Sequence, residues 1–156
     1  MAFLIDKIPD GTIDRIDSSD ICGVMTRKRD NLGNEYIYLK GVASTALGSW
    51  VTFDELGVTA LLAANAIGQV AIAQAATIAS TYGWYLIAGS CQAKVAASFA
   101  DNGNLYATAT AGTADDAVVA GDRIKCATGR SAIDATVTGC ALVQVNYPFM
   151  DDALAA

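Results

Sequence analysis

Residues 83–99 are the most regular part of the chain, and their pattern is that of β structure. Residues 84–88 are apolar at nearly every position, which is typical of a strand buried on both faces. After Gly89-Ser90, apolar side chains occupy every second position as far as Phe99, so one face should meet a core and the other water. The pattern predicts two strands joined by a turn at Gly89-Ser90.

The chain is then predicted to reverse a second time. The sequence Ala100-Asp101-Asn102-Gly103 has the composition of a tight turn, because Asn and Gly adopt positive φ at low cost. Residues 104–110 alternate again and are predicted to be a strand. We therefore expect the whole segment 83–110 to form a three-stranded meander.

Six further strands are predicted from branched, aromatic and small apolar residues bounded by glycine: 36–40, 48–53, 58–66, 69–73, 121–127 and 139–147. Residues 58–66 could also form a short helix, but the glycines beside them favour extended chain. Pro148 is expected to end the last strand, because proline cannot donate to a ladder. About eight to nine short, mostly antiparallel strands predict an all-β fold, a compact sandwich or barrel.

Charged residues are distributed unevenly along the chain. Half of them fall within residues 1–40, whereas residues 56–93 contain none. We divide the chain into an N-terminal arm or extension (1–35), a β domain (36–150) and a C-terminal tail (151–156). Residues 1–35 lack a sustained period, so an ordinary charged surface with short strands is as good an interpretation as an arm that packs on a partner.

The composition argues against several functional classes. The chain has no histidine, which removes His-dependent nucleophiles and His-based metal sites. A net charge of −6 makes it a poor candidate for binding nucleic acid. No uninterrupted apolar run reaches the roughly 20 residues of a membrane helix, and the N-terminus does not resemble a signal peptide. Without an export signal, the cysteines are expected to stay reduced and to behave as small buried hydrophobes.

Three carboxylate pairs were considered as catalytic groups: residues 54–55, 115–116 and 151–152. Each pair falls in a predicted loop or in the tail, where solvated carboxylates are common. Adjacent residues on a strand also point to opposite faces, so no pair is expected to face one substrate. We therefore expect no enzymatic activity and no cofactor, with a carboxylate-based hydrolase as the weakest alternative.

Arg27-Lys28-Arg29 is a basic cluster in an otherwise acidic chain. Because Asp30 follows it at once, we interpret it as a solvated hairpin tip rather than a nucleic-acid patch. The large apolar and aromatic residues of the β domain are expected to form the core or a subunit interface. They are Trp50, Phe53, Leu62, Val70, Ile72, Trp84 and Tyr85.

Six segments carry a resemblance to a known family: Gly-Ser-Trp-Val-Thr-Phe-Asp-Glu (48–55), Gly-Gln-Val-Ala-Ile-Ala (68–73), Tyr-Gly-Trp-Tyr-Leu-Ile-Ala-Gly (82–89), Leu-Tyr-Ala-Thr-Ala-Thr-Ala-Gly (105–112), Asp-Arg-Ile-Lys-Cys-Ala (122–127) and Val-Gln-Val-Asn-Tyr-Pro (143–148). In this order they resemble small virion structural proteins of tailed bacteriophages, of the capsid decoration or cement type. The resemblance covers about residues 36–150. It implies a compact β domain, synthesis in the host cytoplasm, self-association as trimers and attachment to the major capsid protein on the outside of the head.

Residues 1–35 lie outside this resemblance. In the capsid hypothesis they hold the shell through a set of charged residues and isoleucines. These are Ile5, Ile8, Ile13, Ile16, Arg27, Lys28 and Arg29. An alternative from a different class is a virion-surface β module that binds host carbohydrate. In that case Trp50 or Trp84 would be exposed and would stack on sugar rings.

Overall fold

The computed structural model describes residues 13–133 and 139–151, and within them it contains strands and no helix. The strands in chain order are β1 (Ile16–Asp17), β2 (Arg27–Arg29), β3 (Glu35–Lys40), β4 (Trp50–Phe53), β5 (Thr59–Leu61), β6 (Ile67–Ala73), β7 (Tyr82–Lys94), β8 (Asn104–Ala107), β9 (Ala114–Asp115), β10 (Arg123–Gly129) and β11 (Cys140–Asp151). The predicted all-β fold is therefore confirmed.

All of these strands belong to one sheet, and the ladders between them are antiparallel. The main path runs β2-β3-β7-β6-β11-β10-β8-β9, while β1 pairs with β7 and β4 pairs with β5 and β6. The sheet is sandwich-like and is not closed into a barrel. Two isolated parallel bridges, Lys40 with Val58 and Val95 with Ala114, join parts of the sheet that are not neighbours along this path.

The sheet buries an apolar core on each face of its central strands. In β7, Trp84 and Leu86 belong to the larger core, and Tyr85 and Ile87 belong to the smaller one. This burial on both faces explains why residues 84–88 are apolar at nearly every position. The smaller core consists of Ile37, Leu39, Val51, Ala71, Ala73, Tyr85 and Ile87.

The turn predicted at Gly89-Ser90 is wrong, because β7 runs through it as one strand of 13 residues. What changes there is the phase of the strand: Leu86 faces the larger core before Gly89, and Ala93 faces it afterwards. Gly89 has a φ of 119°, a conformation open to glycine, and the β3 register shifts beside it as at a β-bulge. The pairing changes as well: β3 pairs with β7 only as far as Ala88, and on the other side of β7 the partner changes from β6, at Tyr85 and Leu86, to β11, from Ala88 onward.

The predicted meander is wrong as well. Strand β8 pairs with β10 and β9, whereas the second half of β7 pairs with β11. The turn chemistry before β8 is present, since Asn102 has a φ of 60°. Local turn residues thus predicted where the chain bends, but they did not determine which strand becomes the neighbour.

Pro148 does not end the last strand, which continues to Asp151. Cys126 and Tyr147 have φ values of 59° and 52°, and the β10–β11 register shifts between them from Lys125↔Phe149 to Ala127↔Val145. Pro148 falls within this bulge, outside the paired positions, so its missing N–H breaks no ladder bond. Beyond the bulge β11 pairs with β6 instead of β7.

Part of the predicted N-terminal arm belongs to the sheet. Strand β1 pairs with β7 through Ile16 and Gly83, and β2 pairs with β3 through Arg27 and Ile37. Residues 13–35 are therefore continuous with the β domain in the structure. Residues 1–12 of the predicted arm, and the predicted tail after Asp151, lie outside the described residues.

Strand β1 is fastened to the core by a buried carboxylate. Asp17 accepts a hydrogen bond from the Tyr38 hydroxyl at 2.7 Å and one from Arg15 Nε at 2.6 Å. The Tyr38 ring lies 5.2 Å from that of Trp84 and 6.1 Å from that of Tyr82, measured between centroids. Burial raises the pKa of the Tyr38 phenol, and the hydrogen bond to Asp17 raises it further. The phenol is therefore held neutral as a donor.

The cysteines only partly match the prediction of small buried hydrophobes. Cys140 is buried and Cys22 and Cys91 are half-buried, but Cys126 is exposed at the β10 bulge. All four are free thiols. Burial raises the pKa of the Cys91 thiol to about 12, which keeps it in its unreactive neutral form.

Replacing Gly89 should destabilise the fold more than replacing a glycine with a similar backbone and open surroundings. A Cβ at Gly89 would lie 2.8 Å from Asn34 Cγ and 3.0 Å from its Cα, whereas Gly68, with a φ of 129°, has nothing within 4 Å. We expect Gly89→Ala to lower the free energy of unfolding by about 3 kcal/mol and Gly68→Ala by about 1 kcal/mol. Urea denaturation measures both values, and equal losses would contradict the bulge packing described here.

The Asp17–Tyr38 bond should make the protein sensitive to alkaline pH. The folded-state pKa of Tyr38 is raised above its ordinary value of 10.0, so the bond's contribution is complete below pH 10 and is lost as pH rises toward the folded pKa. Tyr38→Phe should cost about 1.5–3 kcal/mol at pH 8 and lose less stability between pH 8 and pH 11 than the wild type does. Urea denaturation at both pH values tests this, and an unchanged pH dependence would contradict it.

Candidate functional site

Two of the candidate catalytic carboxylates, Asp54 and Asp116, hold turns together in this structure. Asp54 Oδ1 accepts hydrogen bonds from the backbone N–H groups of Leu56 and Val58, at 3.0 and 2.9 Å. Asp116 accepts one from Ala100 N at 3.1 Å. Within residues 13–133 and 139–151 there is no group of three or more His, Cys, Asp or Glu side chains that could hold a metal ion. These carboxylates therefore have structural partners of their own.

An apolar groove of about 660 Å³ lies where β4 ends and where β5 and β6 begin. Phe53 of β4 lies between Thr59 of β5 and Gln69 of β6, which it faces in register. The groove is lined by Met25, Thr52, Phe53, Asp54, Glu55, Val58, Thr59, Ala60, Ile67, Gly68 and Gln69. Its walls combine a Met, an aromatic ring and branched side chains with two carboxylates at one side.

Large apolar side chains are exposed at this groove. Ile67 is 72% exposed and Val58 is 40% exposed, and both line the groove. Leu56, in the turn between β4 and β5, is also 72% exposed. Single exposed apolar residues are common on protein surfaces, whereas several around one depression mark a contact site.

The turn from Asp54 to Gly57 positions this groove against the N-terminal part of the chain. Gly57 N donates to Asp54 O at 3.0 Å and Lys40 N donates to Gly57 O at 2.9 Å. A Cβ at Gly57 would meet Val24 Cγ1 and the Met25 side chain, so the two segments are in close contact. The turn therefore packs against Met25, whose side chain forms one wall of the groove.

The second surface feature is the basic strand β2, which begins two residues after Met25. Arg29 forms an ion pair with Glu35 at 2.8 Å, and Glu35 also accepts a hydrogen bond from the Tyr147 hydroxyl at 2.9 Å. The Arg27 guanidinium lies 6.0 Å from the centroid of the Tyr147 ring. Arg27, Lys28, Arg29 and Glu35 line a shallow cavity of about 220 Å³.

The apolar groove and the basic strand β2 meet at Met25. We call this combined region the Met25 surface, defined by Met25, Phe53, Leu56, Val58, Ile67, Arg27, Lys28 and Arg29. It brings together residues from β2, β4, β6 and the turn between β4 and β5. An apolar depression beside a row of cations is suited to binding another macromolecule.

The residues predicted to form the core or a subunit interface are mostly internal. Trp50, Leu62, Val70, Ile72, Trp84 and Tyr85 are buried, and Phe53 is half-buried in the groove. Trp50 Nε1 donates to Lys94 O at 3.0 Å, which satisfies its polar atom inside the fold. Neither Trp50 nor Trp84 is exposed, so neither can stack on a sugar ring in this structure.

The residues predicted to contact a capsid are not gathered into one patch. Ile13 is half-buried against the larger core, and Ile16 on β1 is 46% exposed. Arg27 and Arg29 are exposed on β2, which is not a neighbour of β1 in the sheet. Arg27-Lys28-Arg29 forms a strand beside the hairpin turn rather than the tip itself, which is Asp30 to Asn34. Ile5 and Ile8 lie outside the described residues.

The groove residues Met25, Val58 and Ile67 were not anticipated from the sequence. The sequence did contain one signal, the short acidic turn after β4. Leu56 lies there between Glu55 and Gly57, and it belongs to no alternating pattern that would place it on a buried face.

None of the elements in residues 13–133 and 139–151 is a helix long and apolar enough to cross a membrane.

Comparison with known proteins does not assign this chain to a family. No protein-family model matches it, and neither the curated proteins nor the solved structures contain a significant match.

Proposed function

We propose that this chain is a capsid decoration protein that binds the outside of a tailed-bacteriophage head and stabilises the shell. In this proposal it acts as a homotrimer, contacts the major capsid protein, and has no enzymatic activity. The resemblance of residues 36–150 to such proteins suggests the class, and the six segments that carry it include residues of β4, β6, β7, β8, β10 and β11.

The observation that carries the proposal is the Met25 surface. Leu56, Val58 and Ile67 remain accessible around a groove although the same chain buries both of its tryptophans. Fully burying an aliphatic side chain of this size contributes roughly 1.5–3 kcal/mol, so a partner that covers the groove would gain several such terms. This surface favours a protein partner over a small substrate.

The mechanism needs no chemical step. A protein that binds the assembled shell and not its separated subunits stabilises the shell by mass action. Adjoining apolar and basic areas suit this task, because the apolar area supplies affinity and the charges fix orientation. The charges would also make attachment sensitive to salt.

Attachment can be tested with expanded heads that lack a decoration protein, taken from the phage that encodes this chain. The wild type should cosediment with these heads, and the double variant Leu56→Ser and Ile67→Ser should bind at least about tenfold more weakly. Both residues are exposed, so the unfolding transition should stay within about 0.5 kcal/mol of the wild type.

Val118→Ser serves as the matched control, because Val118 is 79% exposed but lies between β9 and β10, outside both the groove lining and the turn from Asp54 to Gly57. It should bind like the wild type. Heads that do not bind the wild type would overturn the proposed function. Equal binding of the double variant would remove the groove from the contact.

Self-association is a separate expectation. Light scattering on the purified chain should give the mass of a trimer in dilute buffer. A monomer at all concentrations tested would contradict trimerisation in solution and would require each copy to attach to the shell independently.

A further inference from the structure

Strand β2 lies at an edge of the sheet, and its outer side carries no further strand in the part of the chain that the structure describes. Among the described residues it pairs with β3 alone. Tyr38 N donates to Thr26 O at 2.9 Å and Asp30 N donates to Asn34 O at 3.0 Å, so the positions bonded to β3 are 26, 28 and 30. The backbone N–H and C=O groups of Arg27 and Arg29 therefore point away from β3.

The side chains along this edge are held in position. Arg27 and Arg29 lie on one face of the strand and Lys28 on the other, because neighbours alternate. Arg29 is fixed by Glu35, which the Tyr147 hydroxyl also contacts, and Arg27 lies over the Tyr147 ring. Side chains ordered before binding lose less entropy when a partner arrives.

Charges on edge strands have a general role, which is to prevent pairing with other strands. That role is served by charges of either sign. Here three consecutive cations stand on a chain of net charge −6. Two copies of β2 would repel each other, whereas an anionic strand would be attracted, so the charge selects the kind of partner.

We propose that the open edge of β2 accepts an extended acidic peptide segment of a partner protein as an additional strand. The outward N–H and C=O groups of Arg27 and Arg29 bond its backbone, and the guanidinium groups of these two arginines face carboxylates on one face of the added strand. The inference rests on the proposed function in one respect: the segment then belongs to the major capsid protein, whose adjoining surface covers the groove.

Binding can be measured without heads, by fluorescence anisotropy of a labelled peptide with the full-length chain. The probe is a peptide of about seven residues that alternates Glu with Thr, which is extended and acidic on one face. It should bind with a dissociation constant below about 1 mM at low salt. A peptide with Lys in place of Glu should not bind. A peptide N-methylated at alternate amides should bind at least about tenfold more weakly, because it cannot complete the ladder.

Variants of the chain separate charge from strand pairing. Arg27→Glu should weaken peptide binding by at least about tenfold, while Arg123→Glu, at an exposed arginine of β10, should change it less than about twofold. Arg27→Gln and Arg27→Pro both remove the charge, but only proline removes the outward N–H without touching the β3 ladder. Arg27→Pro should therefore bind more weakly than Arg27→Gln, with urea denaturation confirming that both are folded.

Four results would overturn the inference. Equal binding of the N-methylated peptide would mean that the cations attract anions without strand addition. Complete displacement of the peptide by an equal concentration of tripolyphosphate would mean the same. Absence of peptide binding would overturn it too. Heads that bind the wild type and Arg27→Glu equally well would overturn the inference but leave the proposed function intact. Peptide binding without head binding would overturn only the shell as partner.

Discussion

The ladder between β7 and β11 holds the rest of the sheet in place. It runs through seven consecutive pairs, from Cys140↔Lys94 to Asn146↔Ala88. Ala93 and Ala141 stand directly opposite each other and are both buried, and Gly48 packs against Ala93. These small residues leave space for the Trp50 indole, which bonds the next carbonyl of β7. The alanines at positions 93 and 141 thus have a packing reason.

Each strand of this ladder also contains a bulge, and the bulges give the sheet its shape. At Gly89 and at Tyr147-Pro148 the strands change both their phase and their partners. A bulge increases local twist, so the sheet bends there and can bury apolar side chains on both faces of its centre. The two cores, and the groove at the ends of β4 to β6, follow from this bending.

Composition and periodicity found the longer strands, because those signals are local, but they did not predict the short strands β1, β2 and β9. Tyr36 to Lys40, Trp50 to Phe53 and Ile67 to Ala73 carry branched and aromatic residues that favour extended chain wherever their partners lie. The errors at Gly89 and Pro148 have one cause. Glycine and proline indicate that a ladder is interrupted, but a turn and a bulge interrupt it alike, and only the partner strand distinguishes them.

Only one part of the candidate site could be predicted from the sequence. The basic cluster of β2 is evident from the charge distribution, although its position at a sheet edge depends on pairing with β3. The groove could not be found in this way, because Met25, Phe53, Val58 and Ile67 come from four separate segments that meet only in the folded chain. The burial of Trp50 and Trp84 likewise follows from three-dimensional packing, since an aromatic residue in a strand serves a core or a surface equally well.

The two parts of the Met25 surface, the apolar groove and the basic strand β2, would contribute differently to binding. Apolar contact is non-directional, so the groove alone would hold a partner without fixing its orientation. Backbone pairing along β2 is directional, but three residues of an edge strand supply few bonds, each with a small net contribution. Because the groove begins at Met25, two residues before the strand, one rigid element positions both. In the proposed decoration role, a partner that pairs with this edge would therefore be brought over the groove in a single orientation, which is what equivalent sites on a symmetric shell require.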